Sequence, residues 1–181
     1  MRIISGNWRG RPLIAPKGTE TRPTADRTRE GLFSMLVSRL GSFEGLRVLD
    51  LFAGSGALGL EALSRGAAHC TFVEQDSAAL DALRTNIAKL GADAQCDVRA
   101  QSVTALGPAP SPYDLMMLDP PYRSGACVVA LERCLRLGWL APGALVTVET
   151  AKGEAVTVEG FEAAAERVYG KAMVTVLRVA A

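Results

Sequence analysis

Asp119-Pro120-Pro121-Tyr122 is the stretch of this 181-residue chain best equipped to do chemistry. It follows the apolar run Leu115-Met116-Met117-Leu118. Its two prolines stiffen the backbone and remove two N–H donors. What remains is a rigid set of acceptors, the Asp119 carboxylate and the Pro120 carbonyl, which suits an exocyclic amine with two N–H groups to donate. Tyr122 adds a flat face on which a base can stack, worth about 1–3 kcal/mol. The plain alternative is a proline-rich turn that merely ends a strand.

A second constellation lies upstream. Residues 48–59 read as a strand, a glycine turn and a helix start, with Gly54, Gly56 and Gly59 spaced as G-x-G-x-x-G. Such glycines let the backbone pass close to a ligand and let the helix pack against the strand. Glu74 stands twenty residues after Gly54, at the end of the next apolar run, where a carboxylate can accept both ribose hydroxyls of a nucleoside. Two ligand classes fit. A dinucleotide would set its pyrophosphate on the helix N-terminus. S-adenosylmethionine has no phosphate and carries a sulfonium and an ammonium. Asp50, just before the glycines, suits that positive end and favours S-adenosylmethionine.

The elements that must position these groups follow from periodicity. Apolar runs at 46–52, 70–73, 94–99, 113–118 and 145–148 read as strands. Helical patterns at 57–65, 77–90 and 125–137, with a single turn at 102–106, fall between them. Alternating strands and helices imply a parallel sheet with right-handed crossovers. The runs 164–169 and 172–179, joined by Gly170-Lys171, read as a hairpin adding antiparallel strands at one edge. Ahead of this lies a small hairpin built on Ile3-Ile4 and Pro12-Leu13-Ile14-Ala15. A helix at 24–40 follows, with Thr24 as N-cap and Leu32, Phe33, Leu36 and Leu40 on one stripe.

Composition narrows the class. At 49% hydrophobic and 22% charged the chain is globular, with no apolar run near the ~20 residues of a membrane span and no signal-peptide pattern. Four cysteines without a C-x-x-C pair suit a reducing cytoplasm. No metal site is indicated. Cys127 and Cys134 read as small core residues, and the single histidine, His69, as structural. Trp139 reads as core or a turn plug. Residues 1–40 hold eight Lys/Arg against three Asp/Glu, and the remainder twelve against sixteen. A basic segment of net +5 on a body of net −4 is a nucleic-acid footprint or a solvated arginine-rich surface. Arg9, Arg11, Arg22, Arg27 and Arg29 are the candidate phosphate contacts, and Trp8 a candidate stacking ring. They are expected to fold beside the carboxyl ends of the first and fourth strands, as one wall of an RNA cleft.

D-P-P-Y after the fourth strand, with D-x-F-x-G-S-G after the first, resembles the amino-group methyltransferases that use S-adenosylmethionine. Arg2-Ile3-Ile4-Ser5-Gly6, Arg9-Gly10-Arg11-Pro12-Leu13 and the block Arg22-Pro23-Thr24-Ala25-Asp26-Arg27-Thr28-Arg29-Glu30-Gly31-Leu32-Phe33 resemble the bacterial 16S ribosomal RNA guanine-N2 methyltransferase family. The likeness spans about residues 2–179. It implies an α/β fold: a doubly wound, mostly parallel seven-stranded sheet with a C-terminal antiparallel hairpin. It also implies a basic RNA-binding extension over residues 1–44 and a methyltransferase domain over 45–181. The implied reaction is methyl transfer from S-adenosylmethionine to a guanine N2 of 16S RNA within an assembling 30S particle, by a cytoplasmic monomer. Asp119, Pro120, Pro121 and Tyr122 become the catalytic set. Asp50, Phe52, Ala53, Gly54, Ser55, Gly56, Glu74, Gln75 and Asp119 become the cofactor contacts. Related enzymes carry an acid or amide after the third strand for the adenine amine; here that stretch is Arg99-Ala100-Gln101-Ser102-Val103. Gln101, Ser102 or a backbone group must serve. An adenine-N6 methyltransferase and a dinucleotide-binding oxidoreductase remain the alternatives.

Overall fold

Five parallel strands and a terminal antiparallel pair form one seven-stranded sheet, in the order β3-β2-β1-β4-β5-β7-β6. The computed structural model describes residues 1–17 and 23–180. The strands are β1 (Arg47–Leu51), β2 (His69–Glu74), β3 (Cys96–Ala100), β4 (Tyr113–Leu118), β5 (Leu140–Ala151), β6 (Phe161–Tyr169) and β7 (Ala172–Val179). The helices are α1 (Pro23–Leu40), α2 (Ala57–Ser64), α3 (Ser77–Leu90) and α4 (Ala126–Arg136). None of the described helices is long and apolar enough to cross a membrane.

Period-two alternation divides the core into two layers. Val48, Phe72, Leu115, Met117, Leu145 and Val174 face one layer, which α1, α2 and α3 complete. Leu49, Val73, Met116, Val146, Val148 and Leu177 face the other, closed by α4, Tyr113 and Trp139. Trp139 is fully buried and its indole N–H donates to the Gly107 carbonyl at 2.8 Å. The first layer includes Ile3, Leu13, Leu32, Phe33, Met35 and Leu36, so residues 1–44 and the rest of the chain share a core. Gly31 makes this possible within α1. A Cβ there would stand 2.3 Å from the Tyr169 ring, so only glycine lets that ring lie on the helix backbone.

Several boundaries differ from expectation, among them the start of β3, which begins at Cys96 because Asp93–Gln95 form a single helical turn. Helix α1 starts at Pro23, so Thr24 is inside the helix and not its N-cap. Proline is favoured at a first helical position, where its missing N–H costs nothing. Strand β5 runs twelve residues where four were expected. Its antiparallel partner β7 pairs with it from Leu145 through Ala151, and a strand continues as long as a neighbour satisfies it. Strand β6 likewise begins at Phe161, three residues early, because Phe161 pairs with Val179. The N-terminal hairpin forms, held by Ile3 N–H to Arg11 O at 2.9 Å and Gly10 N–H to Ile3 O at 2.8 Å.

Candidate active site

The expected groups meet because β1, β4 and β5 are neighbours and present the same face. Asp50 shares the side of Val48, Asp119 follows Leu115 and Met117, and Glu149 follows Leu145 and Thr147. Leu118 pairs with Val148, so Asp119 and Glu149 are the next residues along adjacent strands. A cavity of about 750 Å³ opens there. Its floor and walls include Phe52 to Ser55, Asp119, Tyr122 and Glu149, and α1 with Lys171 and Ala172 closes it from the other side.

The glycine loop is held by side chains. Glu74 Oε1 accepts the Gly54 N–H at 2.8 Å, and its Oε2 accepts the Gln75 and Asp76 N–H groups at 2.9 Å each. Gly54 and Gly56 take positive φ, 58° and 85°. A Cβ on Gly56 would meet the Leu83 side chain at 2.3 Å, and one on Gly59 the Phe72 ring at 2.4 Å. These two glycines therefore serve helix packing, while Gly54 serves the turn. Phe52, with φ 58°, is a bulky residue in a left-handed conformation at the cavity wall, as is Arg123 at φ 56° just after Tyr122. Such strained residues concentrate at functional sites.

Asp50 is buried. Its Oδ2 accepts the Gly59 N–H at 3.0 Å, whereas its Oδ1 is buried without a partner. Burial, then the nearby Asp119 and Glu74 carboxylates, raise its pKa well above the usual range. Asp119 is solvent-exposed where it faces the cavity, with protein atoms crowded around its carboxyl. Burial, together with a Glu149 carboxyl close enough to share a hydrogen bond, pushes its pKa up to about 8. The Tyr122 hydroxyl donates to Glu149 Oε2 at 2.8 Å, and its ring remains 45% exposed with a face free for stacking. Burial and Glu149 raise the Tyr122 pKa too.

Other expected contacts lie elsewhere. Gln75 is exposed on the turn after β2. Gln101 follows β3, and Ser102 caps the turn Val103–Ala105 by accepting the Thr104 N–H at 3.2 Å. Neither lines the main cavity. Met1 and Pro16, at the open end of the hairpin, line the cavity, but the basic tip of the hairpin is not a wall of the site. Asn7 N–H donates to Ser64 O at 2.8 Å, and Arg11 donates to Lys89 O at 2.8 Å. Those carbonyls lie at the C-terminal ends of α2 and α3, which lead into the starts of β2 and β3, at the opposite end of the parallel strands from Asp119. Lys89 lies about 18 Å along α3 from its first residue. The physical reason is the helix C-terminus, whose free carbonyls attract a guanidinium. Arg9 sits on the same exposed tip, and Trp8 is half-buried against the core. Arg29 does line the cavity, but it is buried and bonded to the Arg2 carbonyl, beside Asp26 at 3.5 Å and Glu61 at 3.9 Å. Arg27 is exposed on α1, in a groove with Arg39 and Arg167 that adjoins the cavity through Tyr169. Arg22 lies outside the described residues.

One residue of the site and two that support it escaped the sequence reading. Glu149 carries the same signal as Glu74, an acid at the end of an apolar strand run. Asn86, buried, accepts the Ile14 N–H at 2.9 Å and donates to the Ile14 and Ser55 carbonyls at 3.0 Å, tying the glycine loop to the N-terminal segment. Glu61, fully buried on α2, accepts from Ile4 N–H at 2.8 Å, Ser5 N–H at 3.1 Å and Arg65 at 2.9 Å.

Similarity to known proteins spans both the extension and the sheet. The model of the family described as Conserved hypothetical protein 95 matches residues 1–178. The ribosomal RNA small subunit methyltransferase D of Escherichia coli is 42% identical over 150 residues, 83% of this chain and 74% of that protein. The solved structure of the Escherichia coli protein yhhF is 36% identical with a TM-score of 0.86, covering 100% of this chain and 98% of that one. A magnesium protoporphyrin IX methyltransferase from Synechocystis PCC 6803, solved with bound SAM, has a TM-score of 0.69 over 90% of this chain and 87% of that one. At 15% identity it shares the fold. By the span of the family model and the identity to its Escherichia coli relative, this chain belongs to the Conserved hypothetical protein 95 family.

Proposed function

We propose that this protein is a ribosomal RNA methyltransferase. It moves a methyl group from S-adenosylmethionine to the N2 amine of a guanine in 16S RNA, on the assembling 30S particle in the cytoplasm. The observation that carries the reading is the Asp119 carboxylate, at the head of the Asp119-Pro120-Pro121-Tyr122 loop, in one cavity with the glycine loop. The name and the 42% identity of the Escherichia coli relative support the RNA substrate.

The residues fit this cofactor. Asp50 has an unpartnered buried oxygen, and Asp119 and Glu74 stand close enough to perturb it. Three converging carboxylates favour a cationic ligand and repel a pyrophosphate, which weighs against a dinucleotide. S-adenosylmethionine, when bound, supplies a methyl group activated by its positive sulfur. Asp50 would hold the ammonium end, and the spare lone pairs of Glu74 the ribose hydroxyls.

The rest is done by the chain. The guanine N2 lone pair is delocalised into the ring, so the amine is a poor nucleophile. Hydrogen bonds from its two N–H groups to the Asp119 carboxylate and Pro120 carbonyl raise electron density on nitrogen and aim it. In-line positioning supplies much of the remaining acceleration. Transfer leaves one proton in excess on N2, and an ionised Asp119 takes it. The base must leave its stack to reach this depth, and the open Tyr122 face receives it. Lys171 and the buried Arg29 line the cavity, and Arg27, Arg39 and Arg167 line the adjoining groove; the exposed Lys171, Arg27 and Arg167 would hold the RNA backbone. The test is methyl transfer from labelled cofactor to naked 16S RNA, 30S particles and DNA, followed by nucleoside analysis. N2-methylguanosine from small-subunit RNA is expected. N6-methyladenosine, or binding of NAD in preference to S-adenosylhomocysteine, would refute the reading.

A further inference from the structure

Around Asp119 the pocket offers acceptors and almost no donors. Pro120 and Pro121 have no N–H, and the Pro120 carbonyl, the Asp119 carboxylate and the Glu149 carboxylate all accept. The nearest hydroxyl, on Tyr122, already donates to Glu149. That bond fixes Glu149 Oε2, and the remaining acceptor sites of the carboxylate face Asp119, free for other donors when Asp119 is ionised. Strands β4 and β5 are hydrogen-bonded neighbours, so the two carboxylates stand on strands roughly 4.8 Å apart, facing one cavity. With Asp119 protonated the two carboxyls share a hydrogen bond; once Asp119 is ionised, as transfer requires, the pair needs outside donors between them.

Nucleobase edges differ in what they bring to such a place. Guanine presents N1–H and the N2 amine on neighbouring atoms, donors side by side. Adenine presents its amine beside an N1 lone pair, and cytosine its amine beside an N3 lone pair. Either lone pair would face a carboxylate with no proton between them. We propose that Glu149 selects the base: its carboxylate accepts the guanine N1–H while Asp119 and the Pro120 carbonyl accept the N2 hydrogens. This deepens the guanine-N2 reading above and rests on it. Glu149 thereby becomes the residue that rejects adenine at a loop which, by itself, would suit either exocyclic amine.

The experiment uses the full chain and an RNA containing the guanine that the wild-type protein methylates. A second RNA carries 2-aminopurine at that position. This base keeps the amine on C2 but has a bare lone pair at N1. Wild type is expected to prefer guanine by on the order of ten- to a hundredfold in kcat/KM, the effect of one hydrogen bond to a charged acceptor. E149Q can turn its amide N–H toward the bare N1, so its preference is expected to shrink toward one or invert. The missing O6 of 2-aminopurine affects both proteins alike, so the ratio between them isolates N1. Affinity for S-adenosylhomocysteine, measured by calorimetry, stays near wild type if E149Q is folded. Should E149Q fail to fold, E149D keeps the charge with a shorter reach, and its preference should fall below that of wild type. A wild type indifferent to the two bases, or a variant slowed equally on both, overturns the proposal while leaving guanine-N2 transfer standing. Absence of N2-methylguanosine in the wild-type product overturns the underlying reading instead.

Discussion

Replacing Glu74 with Gln probes the cofactor half of the site. The wild-type carboxylate accepts three backbone N–H groups, Gly54 on one oxygen and Gln75 and Asp76 on the other. Glutamine keeps the shape but has a single oxygen. Whichever way the amide turns, its NH2 group faces a backbone N–H that has lost its acceptor. A hydrogen bond to a charged group contributes about 1.5–3 kcal/mol, and the partly buried position of Glu74 places it in the lower half of that range. Two effects follow. The loosened Gly54 turn should lower the melting temperature of the ligand-free protein by roughly 3–9 °C for a chain of this size. The lost ribose bonds should weaken S-adenosylhomocysteine by roughly 10- to 100-fold. Calorimetry with S-adenosylhomocysteine and with its 2′,3′-dideoxy analogue separates the two. Removing the hydroxyls should weaken binding to wild type and scarcely weaken binding to E74Q further, since the interaction is already gone. Affinity within twofold of wild type in E74Q would show that Glu74 only clamps the loop and that the ribose partner lies elsewhere.

D119N should leave cofactor affinity near wild type and abolish most turnover, because its partner is the substrate amine; equal loss of both would make Asp119 a cofactor residue. Asp119 has a folded-state pKa of about 8, above that of a free carboxyl, so the native state holds its proton more tightly. Its contribution to stability is therefore present at acid pH and lost as pH rises through about 8. The melting temperature of D119N relative to wild type should accordingly be higher at pH 9 than at pH 5, and a constant gap refutes the like-charge contact with Glu149. Since transfer requires the ionised form, kcat/KM for RNA should rise with pH toward a plateau above about 8, with the midpoint moved down in E149Q. E61A removes the fully buried partner of Ile4, Ser5, Arg65 and Arg29, and should cost about 3–5 kcal/mol in denaturant unfolding. A loss under 1 kcal/mol would mean that the network is solvated. R27A/K171A should weaken RNA binding and flatten its salt dependence, while R9A/R11A should change neither; the reverse pattern would return the RNA wall to the hairpin.

Much of the architecture is legible in one dimension because it rests on local chemistry. The bounds of α3 and β4 follow from Asp76 capping Ala79, from Gly91 at positive φ and from an uninterrupted apolar run. The same holds for the glycine turn and for Asp119, whose place at the end of β4 is set by the strand before it. What escaped depends on partners distant in sequence. Strand β5 reached Ala151 because β7, more than twenty residues later, pairs with it. Glu149 became a member of the site because β4 and β5 lie side by side, an adjacency that no spacing between residues 119 and 149 encodes.

Charge was legible as a total and illegible as a location. Counting placed the arginines in residues 1–40 but could not say which would be consumed by the protein itself. Arg11 ends on a helix-terminal carbonyl and Arg29 in a buried cluster with Glu61, because a guanidinium is drawn to the nearest unsatisfied acceptors, and folding decides where those are. Residue types and spacing alone determined the acceptor loop, the glycine turn, the acid at the end of β2 and the α/β alternation, all set within a few residues of chain. Tertiary structure alone decided that Glu149 joins Asp50, Glu74 and Asp119 and that the basic tip of the hairpin faces away from them. Sheet order and helix ends are products of packing the whole chain around one core.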